Sequence, residues 1–244
     1  MSIIFCFGEY NSKNREKSIF LKKHVFDKII IEKRGDKMKK EILLLGKKID
    51  VDASPVVLSY KPDENWREVW DDKGGTWSYQ DGYLVGCEPE NKGGILLSKK
   101  RFDKDVMFSF TMASVLPATR DLNAVYNTTW DDEINYLKKS YISGLNGWYE
   151  GKSGIERFPE NETRSLTPLY RYTPGEEVRI TTGAINGHNF LIVDDVLIQE
   201  LIDMEPFVGG HVGFSPYSTM LKIKDIEVRE IVWEERQQEY EPEF

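Results

Sequence analysis

The sequence contains few of the residues that hold disulfide-rich or metal-binding domains together. Two cysteines, Cys6 and Cys87, and three histidines, at positions 24, 188 and 211, occur among its 244 residues. Two cysteines cannot make a disulfide framework, and histidines so far apart do not give a zinc-ligand spacing. The sequence therefore argues against a disulfide-stabilised domain and against a metal centre built from cysteine and histidine.

Long apolar runs and an excess of positive charge are also absent. No apolar stretch approaches the roughly 20 residues that cross a bilayer as a helix, and the N-terminal residues lack the pattern of a signal peptide. The formal net charge is −8 and the pI is about 5.1, which argues against a nucleic-acid partner. We therefore predict a cytoplasmic protein with no membrane or nucleic-acid partner, and its oligomeric state stays open.

Charge divides the chain into segments. Residues 1–37 carry nine Lys and Arg against five Asp and Glu, a balance of +4, so the rest of the chain sums to −12. We interpret 1–37 as an N-terminal extension: either Met38 is the true start, or the segment is a mobile arm. Residues 38–232 are predicted to form a single domain, and the acidic stretch 233–244 is predicted to be a fraying tail.

Helical periodicity is missing between residues 50 and 230, where short apolar runs alternate with turn residues. Asp81-Gly82 predicts a tight hairpin turn inside 76–86, since glycine accepts a positive φ. Two further turns predict three strands in 177–203. About a dozen such strands predict an all-β fold, a two-sheet antiparallel jelly-roll sandwich.

Apolar alternation assigns faces to two of these strands. In 211–231 the apolar positions change from odd to even numbers, which predicts a β-bulge near Lys224-Asp225. In 105–115 one face is predicted to pack in the core, and its residues are Val106, Phe108, Phe110 and Met112. The other face, small and hydroxylated, is predicted to form a groove floor, and its residues are Met107, Ser109, Thr111 and Ala113.

The stretch GLNGWYEGKSGIERFPE, residues 144–160, combines aromatics, glycines and opposed charges without a regular period. Aromatic faces stack on the apolar face of a sugar ring, and glycine lets a backbone approach a ligand closely. Trp148 and Tyr149 are therefore candidate sugar contacts. The alternative is that they close a loop over the core, and neighbours on an extended chain face opposite ways, so one of the two is expected to pack inward.

The charged residues of this stretch have two interpretations. Arg157 and Lys152 are candidate ligands for the carboxylate of an acidic sugar, which a guanidinium binds with two hydrogen bonds. The alternative is a solvated ion-pair cluster with Glu156, which contributes little to stability.

Two carboxylates make the same stretch a candidate catalytic site. Glu150 and Glu156 are the best pair for glycoside hydrolysis, which needs two carboxyl groups at a defined separation. A lyase would instead need a base such as tyrosine or histidine. Tyr141 and His211 are the residues of those types, and His211 is also a candidate substrate contact.

Two further segments carry candidate ligands. In RDLNAVYN (120–127) Leu122, Ala124 and Tyr126 share a face. If that face is the core face, Asn123 and Asn127 look into a groove, where amides bind hydroxyl groups; the alternative is an exposed edge. In TWDDE (129–133) three carboxylates could bind a structural calcium ion, and a solvated turn is the alternative. No other cofactor is predicted.

Three segments together resemble a known superfamily: GGTWSYQDGYLVG, then DLNAVYNTTWDD with YISGLNGWYEGKSGIERFP, then GHNFLIVDDVLIQELIDMEPFVGGHVGFSPYSTMLKIKDIEV. Over residues 65–231 the chain resembles concanavalin A-like lectins and glucanases, in particular YesU-like domains of unknown function and relatives of the 3-keto-glycoside hydrolases. The resemblance implies a jelly roll with an oligosaccharide in its concave groove, often a fragment of a plant polysaccharide.

One departure from that pattern leaves the activity open. Glucanases of this superfamily place catalytic carboxylates in a Glu-x-Asp-x-x-Glu string on one strand, and no such string occurs here. We therefore predict a protein that binds or processes plant-derived oligosaccharides, with residues 144–158 forming one wall of the groove. A hydrolase or lyase, a non-catalytic carbohydrate-binding module and a sandwich that binds no sugar all stay open.

Overall fold

The computed structural model describes residues 39–88, 90 and 93–236, apart from the side chain of Glu150. The predicted extension 1–37 and residues 237–244 of the predicted tail lie outside the described residues. The described part contains 18 strands and two short 3₁₀ turns, Trp66–Glu68 and Tyr149–Gly151. Within it, no helix is both long enough and apolar enough to cross a membrane.

The strands are β1 (Glu41–Leu44), β2 (Lys47–Asp50), β3 (Val56–Tyr60), β4 (Trp70–Gly74), β5 (Thr76–Gln80), β6 (Tyr83–Glu88), β7 (Ile95–Ser98), β8 (Val106–Ser114), β9 (Leu122–Asp131), β10 (Tyr136–Trp148), β11 (Lys152–Phe158), β12 (Arg164–Thr167), β13 (Val178–Ile185), β14 (His188–Val193), β15 (Val196–Ile202), β16 (His211–Phe214), β17 (Thr219–Glu230) and β18 (Trp233–Glu235).

Antiparallel pairing assembles these strands into two large sheets and a small one. A seven-stranded sheet has the order β12-β11-β10-β9-β16-β7-β4. An eight-stranded sheet has the order β15-β14-β13-β8-β17-β6-β5, with β3 beside β17, and β1-β2-β18 form the small sheet. The predicted all-β, two-sheet jelly-roll sandwich is confirmed.

Two local predictions are confirmed by backbone geometry. Asp81 and Gly82 have φ values of 49° and 85°, and they join β5 to β6 in a two-residue hairpin. In β17 the pairing register shifts between Lys224 and Glu227, and Asp225 has a φ of 50°. This bulge keeps all four apolar residues of the strand buried: Leu221, Ile223, Ile226 and Val228.

The core lies between the two large sheets. Phe108 and Phe110 of the eight-stranded sheet meet Phe214 of the seven-stranded sheet, with ring centroids 5.3 and 5.0 Å apart. All three side chains are fully buried, and burial of a phenylalanine side chain contributes about 1.5–3 kcal/mol. Val106, Phe108, Phe110 and Met112 all belong to this core, as predicted.

The opposite face of β8 is not an open groove floor. Met107 is buried in a second cluster with Leu44 and Ile49 of the small sheet and Phe190 of β14. The prediction of a groove is wrong there because β1-β2-β18 covers that end of the eight-stranded sheet. Trp233–Glu235 pair with β2, so the first residues of the predicted tail form a strand; the other domain boundaries stay predictions.

The seven-stranded sheet has a second face that points away from the core. Leu122, Ala124 and Tyr126 of β9 lie in the core, as the alternation predicts. Val125 lies in a separate cluster with Leu97 of β7. We call the Val125 side of the sheet its outer face.

Candidate functional site

The glycine-rich stretch singled out in the sequence forms the β10–β11 hairpin. The 3₁₀ turn Tyr149–Gly151 joins the two strands, and Gly151 has a φ of 73°, which glycine adopts without strain. The register shifts between Gly144 and Trp148, where Asn146 has a φ of 52°. The regular alternation of faces therefore ends before Trp148.

A cavity of about 850 Å³ lies beside this hairpin, and we call it the Trp148 cavity. Its volume is within the range of small-molecule sites. It is lined by the hairpin, by β12 and by neighbouring loops, with the residues Thr119, Arg120, Asn146, Gly147, Trp148, Tyr149, Gly151, Glu156, Arg164, Pro174 and Tyr217.

Glu156 is held at the cavity wall by two donors. The indole Nε1 of Trp148 donates to its Oε2 at 2.7 Å, and Nη1 of Arg164 lies 3.5 Å from the same oxygen. Arg164 reaches Glu156 because the two residues are partners across the β11–β12 pair. Both donors use Oε2, so Oε1 is the carboxylate oxygen that could accept a hydroxyl group from a ligand.

Aromatic side chains line the cavity around this carboxylate. Tyr149 is 69% exposed, and the guanidinium of Arg164 lies 5.4 Å from its ring centroid. Tyr217, on the loop after β16, is 42% exposed. Exposed rings of this kind offer apolar faces to a sugar.

Two arginines supply the positive charge of the cavity. Arg164 contacts Glu156, and Arg120 places its Nε 3.2 Å from Oδ2 of Asp121. The side chain of Arg120 is 60% exposed, so its guanidinium is accessible from solvent. Both arginines can offer paired donors to a carboxylate.

Asn123 lies beneath the cavity, against the backbone of the hairpin. A Cβ at Gly144 would lie 2.0 Å from Oδ1 of Asn123 and 3.2 Å from the Trp148 ring, and one at Gly147 would lie 3.0 Å from the same oxygen. Glycine at these two positions therefore makes the room that Asn123 occupies. Asn123 is 8% exposed, and among the described residues its Oδ1 has no hydrogen-bond partner.

Asp121 lies beside Asn123 and under Gly147, whose Cβ position is 3.4 Å from its Oδ1. Asp121 as a whole residue is 5% exposed. Burial raises the pKa of Asp121 to about 6, although Arg120 and a hydrogen bond from Asn123 oppose the shift. A buried carboxyl group with a raised pKa next to a cavity is typical of functional sites.

Tyr141 and Arg157 do not reach the Trp148 cavity, which corrects their predicted placement. Tyr141 is buried, and its hydroxyl donates to Oδ2 of Asp203 at 2.6 Å. Arg157 pairs with the same oxygen at 2.9 Å and lies 4.2 Å from the ring centroid of Phe207. Arg157 follows Glu156 on β11, and successive strand residues face opposite sides.

Asn127 also does not face the cavity. It has a φ of 47°, and its amide donates to the backbone carbonyl of Phe207 at 2.7 Å in a buried position. The prediction that it shares the face of Asn123 is wrong because the β9 register shifts here. Lys152 begins β11 outside the lining of the cavity, and the side chain of Glu150 lies outside the described residues.

His211 and the TWDDE segment lie at a different place. His211 lines a second cavity together with Trp130 and Asp132. Asp131 accepts backbone hydrogen bonds from Glu133 and Ile134 in a turn. In the described part of the chain no group of three or more His, Cys, Asp or Glu side chains could hold a metal ion.

The structure therefore brings together Trp148, Tyr149 and Glu156, with Asn123 beneath them. Sequence reasoning did not select Arg120, Asp121 or Arg164. Asp121 could have been found, because it stands two positions before Asn123, directly before the same strand. Arg164 could be identified only once the register between β11 and β12 is known.

Comparisons with known proteins agree with this fold. No protein-family model matches the chain, and comparison with curated proteins gives no significant match. Solved structures do match. A Bacillus subtilis protein of unknown function with a galectin-like fold has a TM-score of 0.58 at 12% identity, covering 73% of this chain and 99% of that one.

Two other matches have names that refer to carbohydrates. The carbohydrate-binding module CBM66 from Bacillus subtilis has a TM-score of 0.52 at 16% identity, covering 66% of this chain and 94% of that one. A Bacillus licheniformis β-glucanase has a TM-score of 0.51 at 9% identity, covering 70% and 97%. At these identities the likeness shows a shared β-sandwich fold of the galectin and concanavalin A type.

Proposed function

We propose that this protein binds an acidic oligosaccharide, one that carries a uronic acid, in the Trp148 cavity. The observation that carries the proposal is the composition of one cavity wall. Trp148 and Tyr149 offer aromatic surface, Glu156 offers a hydroxyl acceptor, and Arg120 and Arg164 offer guanidinium donors. Stacking surface, hydroxyl acceptors and carboxylate donors are the three groups that recognition of such a sugar needs.

The fold supports the proposal without deciding it. A sandwich of this type is shared with proteins named as a carbohydrate-binding module and a glucanase, and fold alone does not assign function. The proposal also includes a closer relationship to YesU-like proteins and 3-keto-glycoside hydrolases. It further includes a cytoplasmic location and a ligand that comes from plant polysaccharides.

Calorimetric titration with matched oligosaccharides tests the proposal. We expect the uronate form of an oligosaccharide to bind at least tenfold more tightly than its neutral analogue, and Arg164→Gln to remove most of that difference. Arg67→Gln is the matched control, because Arg67 lies over the ring of Trp66 outside the cavity. Equal affinity of the uronate and neutral forms for the wild-type protein would contradict the proposal.

Hydrolysis of the bound oligosaccharide is a second candidate function. Glu156 lines the cavity, and Asp121, whose pKa is raised to about 6 by burial, lies under Gly147, another lining residue. A general acid with a pKa near the working pH and a second carboxylate are the two groups of glycoside hydrolysis. Tyr141, the predicted base of a lyase, is buried against Asp203 and does not line the cavity, so the geometry favours hydrolysis over a lyase reaction.

Product analysis separates the two functions. If the protein is a hydrolase, shortened sugars accumulate with the wild-type protein, whereas Glu156→Gln binds the oligosaccharide and releases no product. If no shortened product forms with any ligand that the wild-type protein binds, the hydrolytic function is excluded and the binding function stands.

A further inference from the structure

The outer face of the seven-stranded sheet has a second cavity, of about 420 Å³, which we call the Trp130 cavity. It is formed by four strands and the loops beside them. Its lining residues are Asp71 and Lys73 of β4, Leu97 and Ser98 of β7, Thr129 and Trp130 of β9, His211 of β16, and Arg101 and Asp132. The Trp148 cavity and the Trp130 cavity have no lining residue in common.

Two polar groups of the Trp130 cavity are left for a ligand. Nδ1 of His211 lies 2.7 Å from the carbonyl oxygen of Ser98. Because a carbonyl only accepts, Nδ1 carries a proton, and Nε2 is the ring nitrogen that can bond a ligand hydroxyl. Oγ1 of Thr129 is buried and has no hydrogen-bond partner among the described residues. A buried hydroxyl without a partner costs about 1–3 kcal/mol, which a ligand hydroxyl would recover.

The charges of this cavity select against a strongly ionic ligand. Asp71, Asp132, Lys73 and Arg101 all line the cavity, so both signs of charge are present. Among residues 39–236 that the structure describes, these groups do not form a metal-binding cluster. Trp130 adds an aromatic ring, over which the Lys73 ammonium lies at 5.5 Å. An aromatic ring with dispersed hydroxyl-binding groups fits an uncharged polyhydroxylated ring.

We propose that the Trp130 cavity is a second saccharide-binding site, which takes a neutral sugar residue. The ring of the sugar packs against Trp130, and its hydroxyl groups bond to Nε2 of His211 and Oγ1 of Thr129. This site would bind the same class of ligand as the Trp148 cavity, a saccharide, but through different residues. Binding at the Trp130 cavity therefore does not depend on binding at the Trp148 cavity.

The test uses neutral oligosaccharides of glucose, xylose, mannose and galactose as probes, with nuclear magnetic resonance of the tryptophan indole signals as the readout. The signal of Trp130 is assigned by its loss in Trp130→Phe. We expect at least one probe to shift this signal in the wild-type protein and in Trp148→Ala. If no probe shifts it at millimolar concentration, the second site is refuted. If a probe shifts the Trp130 signal but the uronate and neutral oligosaccharides bind the protein equally tightly, only the proposal for the Trp148 cavity is refuted.

Thr129→Val separates binding from folding. The hydroxyl that it removes has no partner among the residues that the structure describes, so the variant should unfold at the same denaturant concentration or a higher one. We expect the probe to bind about three- to tenfold more weakly, the effect of one lost neutral hydrogen bond. Unchanged affinity in this variant would overturn the proposed contact.

The neighbouring residue provides the matched control. Oγ1 of Thr128 is 2.8 Å from Oγ of Ser140 in a buried pair, and Thr128 is not part of the cavity lining. Thr128→Val should therefore unfold at a lower denaturant concentration and bind the probe with wild-type affinity. A loss of affinity equal to that of Thr129→Val would show that the effect is structural and would refute the site.

Discussion

Replacing Asp121 with asparagine tests the electrostatics beneath the Trp148 cavity. Asparagine has nearly the same shape but cannot ionise, so the substitution removes the charge and keeps the packing. Burial raises the pKa of Asp121 from 3.8 to about 6. One pKa unit corresponds to 1.36 kcal/mol, so the shift amounts to about 3 kcal/mol.

The sign of the effect follows from proton linkage. Between pH 4 and pH 6 the folded protein holds a proton on Asp121 that the unfolded chain releases, so the contribution of Asp121 to the free energy of unfolding falls as pH rises. Above the folded pKa the buried carboxylate is charged and the full cost is present. Asp121→Asn does not carry this cost. We expect its free energy of unfolding, relative to that of the wild type, to rise by up to about 3 kcal/mol between pH 4 and pH 8.

Urea unfolding of both proteins at intervals of pH measures this difference. Asp195→Asn is the control, because it makes the same replacement at a side chain that is 77% exposed, where no buried carboxylate is removed. A constant difference between wild type and Asp121→Asn across the range would refute the raised pKa, and with it the role of Asp121 as a general acid.

Three further substitutions test the placement of side chains. Gly144→Ala puts a Cβ 2.0 Å from Oδ1 of Asn123, so we expect about 1–3 kcal/mol lower stability and at least tenfold weaker oligosaccharide binding; wild-type urea unfolding and titration would contradict the packing. Trp148→Ala removes the central aromatic surface, and titration under conditions where the variant is fully folded should show at least tenfold weaker binding. Arg157→Gln leaves Asp203 buried without its ion pair, so urea unfolding should show about 3 kcal/mol lower stability; a selective loss of affinity would restore Arg157 to the site.

The alternation of strand residues allowed much of the fold to be predicted. The hairpin at Asp81-Gly82 and the bulge at Asp225 follow from local rules, because the first depends on two turn residues and the second on the parity of nearby apolar positions. The face of β9 that carries Asn123 was predictable for the same reason. Each of these features is decided by residues close to one another in the sequence.

The rest of the site depends on contacts that are distant in sequence or on breaks in the alternation. Asn127 left its predicted face because a positive φ interrupts β9. Arg157 shares its stretch with Glu156 but faces Asp203, a residue on the loop after β15. Arg164 meets Glu156 through the register of β11 and β12. Strand register is a tertiary property that composition does not reveal. Composition therefore identified the right hairpin, but it selected Lys152 and Arg157 as the cations of the site instead of Arg164.

The floor of the Trp148 cavity combines two unfavourable features that a purely structural site would avoid. Oδ1 of Asn123 is buried and has no hydrogen-bond partner in the described part of the chain, and Asp121 is buried with a raised pKa. Each feature costs on the order of 1–3 kcal/mol, and Gly144 and Gly147 make the space that holds both groups. Proteins violate local rules of this kind chiefly at functional sites. A sugar hydroxyl that donates to Asn123 would satisfy the amide, so the defect of the free protein becomes a source of affinity for the ligand.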